Sequence, residues 1–153
     1  MIYKILISLA GLFALVRLFK TTDNFARAIM AAQISAIALT LLPEKTLNFA
    51  GLALFMVSLA MVIIYGFVKK EIPAVKQILI SGSAFLLLLT LTFQMQHWPG
   101  AGILGLTLAI PAIAIITQLI THGGSYKNEM GFLLVIAFAS GIEFARRIVW
   151  LLN

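Results

Sequence analysis

Residues 46–68 read TLNFAGLALFMVSLAMVIIYGFV, from Thr46 to Val68, without one charged side chain. At 1.5 Å of rise per residue, a helix of this length reaches about 34 Å, enough to cross the ~30 Å hydrocarbon core of a bilayer. The rest of the chain agrees with that stretch. Of 153 residues, 62% are hydrophobic and only 10% charged, where soluble domains average about 25% charged. A soluble globule this small cannot hide so much apolar surface. The composition excludes an ordinary soluble enzyme, a disordered chain and a disulfide scaffold. What remains is an all-α, polytopic transmembrane helix bundle forming a single integral membrane domain over 1–153.

Working outward, the same length criterion gives six spans at about 2–19, 26–43, 46–68, 75–96, 99–122 and 129–152. The first and last are the least secure. Ile5–Val16 and Met130–Ile142 are the only long uncharged runs in them, so either can be a half-span or an interfacial helix. Five spans is the alternative. Met1–Lys4 ahead of an apolar run imitates a signal peptide, but no small-residue cleavage site follows, and the segment reads as a retained span. All connections are short, so neighbouring spans run antiparallel and no soluble domain fits between them.

The net charge is +6, with 11 Lys+Arg against 5 Asp+Glu. Without a basic aqueous face this reads as the positive-inside bias of membrane loops, and no nucleic acid partner is expected. Lys4, Lys45, Arg146 and Arg147 fall on one side of a six-span layout. Arg17, Lys20, Arg27, Lys69, Lys70, Lys76 and Lys127 fall on the other. That puts the loops near 20–26, 69–74 and 123–128 in the cytoplasm, with both termini and the His97–Gly102 turn facing outward.

Few residues can carry chemistry. The chain has no Cys, which removes disulfides, thiolate metal sites and cysteine nucleophiles. No HExxH, GxSxG or phosphate-binding loop occurs, so neither an enzyme nor a cofactor is expected. Five features stand out. His97, Trp98, Pro99 and Gly100 make a turn at a membrane edge: Trp98 suits the headgroup level, Pro99 can open the next helix, and Gly100 permits close approach. His97 is either a titratable or metal-binding group, or a cap bonded to a carbonyl of the preceding helix. Glu143, Arg146 and Arg147, at i, i+3 and i+4, share one helix face. They are either an interfacial anchor or a docking point for a partner subunit or lipid head group. Gln33 is the one strongly polar side chain deep in the second span and is expected to bond a neighbouring helix. Beside it, Ala28, Ala32 and Ala36 offer a smooth face for close packing. Asp23 is the expected N-cap of that span, and Pro111 the expected kink in the fifth.

The decapeptide Phe93-Gln94-Met95-Gln96-His97-Trp98-Pro99-Gly100-Ala101-Gly102 resembles the hairpin turn of the GldL-type gliding-motility and type IX secretion motor subunit family of Bacteroidota. Phe93, His97, Trp98, Pro99, Gly100 and Ala101 match the family's signature, while Gln94 stands at its lysine position. The resemblance covers roughly 76–122 and implies a two-helix hairpin with a periplasmic turn. The family's second-span glutamate has no counterpart, since no carboxylate lies between Gly100 and Thr121. The combined expectation is a non-catalytic accessory or assembly subunit of a larger membrane complex, its partners being the bilayer and other membrane subunits or itself. The alternative is a small transporter or channel component.

Overall fold

Long runs of Leu, Ile, Ala and Phe without internal breakers favour helices in lipid, where each backbone amide must be satisfied within its own segment. The computed structural model describes residues 2–69 and 72–152, and the described chain contains helices and no strands. In order they are α1 (Ile2–Lys20), α2 (Asn24–Leu41), α3 (Lys45–Val68), α4 (Ala74–Met95), α5 (Ala101–Thr107), α6 (Ala109–His122), a 3₁₀ turn (Gly123–Tyr126) and α7 (Met130–Leu152). Lys70, one of the residues used to orient the loops, lies outside the described residues.

Among the described residues, four stretches are long and apolar enough to cross a membrane: Asn24–Leu41, Lys45–Val68, Ala74–Met95 and Ala101–Tyr126. Helices α1 and α7 have 19 and 23 residues, but each carries three charges: Lys4, Arg17 and Lys20 in α1, and Glu143, Arg146 and Arg147 in α7.

The helix ends follow from local chemistry. The span expected at 26–43 is displaced to Asn24–Leu41 because Asp23 caps its start and Pro43 forces Leu42 into an extended conformation, with φ −67° and ψ 148°. The span expected at 99–122 is corrected at its start and carries the interruption expected from Pro111. It begins at Ala101, because Pro99 and Gly100 belong to the turn, where Gly100 has φ +93°. It is also broken at Leu108 into α5 and α6. Pro111 has no N–H to give to the Thr107 carbonyl four residues earlier, so the helix fails one turn before the proline.

The sequence made the last segment one of the least secure, yet α7 is the hub of the bundle. It packs against α1, α2, α4, α5 and α6, and Phe132, Leu133, Val135 and Ile136 are fully buried. Backbones also come close where α2 packs on α3. A Cβ at Gly51 would lie 2.8 Å from the Ala36 carbonyl oxygen and 2.9 Å from the Thr40 amide nitrogen, so backbone meets backbone there. Only Ala36 of the expected alanine face takes part in this burial; Ala32 is half-buried and Ala28 is exposed.

Candidate functional site

The charged side chains that pair with one another collect at the two ends of the bundle. At one end, the loops 21–23 and 127–129 come together with the last turn of α3 and the first turn of α4. Glu129, immediately ahead of α7, accepts a hydrogen bond from the Tyr65 hydroxyl at 3.0 Å and pairs with Lys76 at 3.0 Å. The Lys76 ammonium also donates to the Ser125 carbonyl at 2.6 Å and lies 4.8 Å from the centre of the Tyr126 ring. Asp23 pairs with Lys69 at 2.5 Å. Its Oδ1 accepts from the amides of Phe25 at 2.8 Å and Ala26 at 3.1 Å, so it is the N-cap of α2. Tyr65 therefore stands between two carboxylates, 3.5 Å from Asp23 Oδ2. Its ring is held edge-to-face by Phe25 and Phe132, each at 5.6 Å.

Burial pushes the Asp23 carboxyl up. The hydrogen bond and charge of Lys69, with the two amide bonds, outweigh that effect and hold it below its usual 3.8. The neighbouring loops are laced together as well. Arg17 donates to the Lys127 carbonyl at 3.2 Å, and the Thr22 amide and hydroxyl both reach Asn128 Oδ1 at 3.2 Å.

At the other end, Glu143 lies on α7 with a side chain only 9% exposed. Its Oε1 accepts from Arg146 at 2.5 Å and its Oε2 from the Gln94 amide of α4 at 2.8 Å. Arg146 is mostly in the open, with 59% of its side chain exposed. Arg147 does not join them. It turns toward α5, where its Cγ occupies the space that a Cβ on Gly105 would need, and its buried Nε has no partner among the described residues. The expected triad is thus a pair plus a separately packed arginine. A 3.6-residue turn puts i+3 and i+4 on opposite flanks of residue i, which is enough to send the two arginines to different neighbours.

The 93–100 turn is a complete helix-end motif. The His97 amide bonds the Gln94 carbonyl at 3.2 Å and the Trp98 amide bonds the Phe93 carbonyl at 3.0 Å, the paired bonds of a Schellman cap. Phe93 and Trp98 supply the hydrophobic contact of that motif, edge-to-face at 5.0 Å. His97 takes the left-handed position, with φ +54°, and its Nδ1 lies 2.9 Å from the Gln94 carbonyl. A carbonyl only accepts, so Nδ1 carries the proton. The ring is exposed, and of the two readings of His97 the geometry realises the cap. Pro99 and Gly100 then turn the chain into α5.

Gln33 is fully buried on α2, as is Ser140 on α7. The expected bond from Gln33 to a neighbouring helix is not formed: neither amide atom has a partner among the described residues, nor does the Ser140 hydroxyl.

Sequence reasoning missed Glu129, Tyr65 and Lys76. One signal was available. Glu129 is one of five acids in the chain and sits one residue ahead of an uncharged run, as a group at a helix start does. Its partners lie 53 and 64 positions away along the chain, and no local pattern names them. Among the described residues, no three His, Asp or Glu side chains converge to hold a metal ion. In comparisons with family models, curated proteins and solved structures, nothing matches this chain.

Proposed function

We propose that this chain is a non-catalytic, six-span protein of a bacterial inner membrane, with both termini periplasmic, acting as an accessory or assembly subunit of a larger membrane complex. The observation that carries the reading is how α7 is used. Two buried carboxylates, Glu129 immediately ahead of it and Glu143 within it, are bonded to residues that tie helices and loops together. Between them lie the fully buried Leu133 and Ile136. An ion path along this helix would have to cross both apolar layers, whereas a scaffold needs them. The resemblance of the 93–102 turn to the GldL-type family names secretion or motility machinery as the first class of complex to test. The charge distribution of the loops supports the orientation.

The test is purification of the tagged full chain from native membranes in mild detergent, with mass spectrometry and stoichiometry of co-purifying proteins. A fixed set of membrane partners at constant ratio is the expected result. Recovery of the chain alone overturns the reading. A reporter fused to Asn153 that is active in the cytoplasm overturns the orientation.

A further inference from the structure

Beside Glu143 the bundle is not filled. A partly open cavity of about 310 Å³ lies among α1, α2, α3, α4 and α7. Ile7, Ile37, Phe55, Leu87 and Ile142 contribute apolar walls, one from each helix. Its volume falls in the ~300–1,000 Å³ range of small-molecule sites. Two charged side chains line it, Lys4 at the start of α1 and Glu143. They differ in one respect. Glu143 is already neutralised by Arg146 and bonded by Gln94. The Lys4 side chain is exposed and has no ion-pair or hydrogen-bond partner among the described residues. The cavity therefore combines an apolar interior with one uncompensated positive charge.

We infer that this cavity binds one acyl chain carrying an anionic head, a carboxylate or a phosphate ester, with the chain among the five helices and the head at the Lys4 ammonium. Burial of the chain supplies the affinity, and the charge-assisted bond at Lys4 selects the anion over a neutral head. The site stands apart from the subunit reading, because it needs no partner protein and is tested on the isolated chain.

The experiment uses the purified full chain in dodecyl maltoside and stearic acid spin-labelled near its chain end, beside the methyl ester of the same label. The immobilised fraction is followed by electron paramagnetic resonance as the probe is titrated. The wild type should immobilise one acid per chain, saturably, and about tenfold more tightly than the ester, a difference of about 1.4 kcal/mol. Ala139→Phe, which places a ring in the cavity wall, should weaken both probes several-fold. Ile78→Phe, on the exposed outer face of α4, should not. Lys4→Glu should abolish the preference for the acid and leave the ester unchanged; because Lys4 is exposed, this arm survives even if Ala139→Phe does not fold. Non-saturable immobilisation, or equal behaviour of Ala139→Phe and Ile78→Phe with both folded, overturns the cavity as a site. Equal affinity of acid and ester in the wild type overturns the role of Lys4. Displacement by an anionic phospholipid supports the site and names a membrane lipid as the source; saturable binding without displacement supports it and names a free single-chain amphiphile.

Discussion

Glu129, immediately ahead of α7, and Glu143, near the middle of that helix, lie fourteen residues apart, about 21 Å along the axis, and they are anchored in different ways. The Glu129 side chain is 6% exposed and is held by Lys76, itself 14% exposed, and by Tyr65. Both partners come from other helices. The Glu143 side chain is 9% exposed, but its charge partner Arg146 stands on the same helix and is largely in the open. Only Gln94 links Glu143 across to α4. One carboxylate therefore fastens α3, α4 and α7 to each other, while the other mainly neutralises itself. Burial of a charge says little about its structural importance until the origin and exposure of its partner are known.

The contrast can be broken or sharpened by substitution. Glu129→Ala should have the largest effect, because it leaves the Lys76 ammonium enclosed without its counter-charge. The loss should be about 3–5 kcal/mol, read from unfolding in mixed micelles. The double variant Lys76→Met, Glu129→Leu should recover most of it, which separates an unpaired charge from a merely altered shape. Tyr65→Phe removes the hydroxyl bond to a charged acceptor and should cost about 1.5–3 kcal/mol in the same assay. At the opposite end His97→Val should cost about 1–2 kcal/mol, since a β-branched residue resists the left-handed position. His97→Gly should be tolerated, and a loss of function in it without loss of stability would show that the ring does more than cap. Glu143→Gln should cost about 1 kcal/mol or less, because the exposed Arg146 is screened by solvent and Gln94 can still find an oxygen. A loss as large as that of Glu129→Ala would erase the contrast.

The smallest effect is one of pH. Asp23 has its folded pKa below the usual 3.8. Its contribution is therefore complete above that value and disappears as pH falls through the folded one. Asp23→Asn, which loses the Lys69 pair, should lower the neutral plateau slightly and so flatten the acid limb, the two proteins converging in stability below the folded pKa.

Much of this was legible in the sequence wherever the cause was local. Asp23 capping α2, Pro43 closing it and Pro111 breaking the fifth apolar stretch all act within four residues. The His97 cap is local too, and the Phe93–Trp98 contact that completes it spans only five positions. The standing of α7 was not legible. Its three charges made it, with α1, one of the two least span-like of the long helices by composition, whereas its central position depends on five neighbours arriving from elsewhere in the chain.

The sequence by itself determined that the described chain is helical and apolar enough for a membrane, and where most helices start and stop. Those outcomes depend on length, hydrophobicity and backbone chemistry within single segments. Only the tertiary structure decided which charges are matched. Glu129 meets Lys76 and Tyr65, Glu143 meets Gln94, Arg147 parts from Arg146, and Gln33 is buried without a bond. The physical reason is that a pairing between helices is fixed by their relative rotation and register. That relation arises from packing the whole bundle, as where Gly51 lets α3 close on α2, and no single segment encodes it.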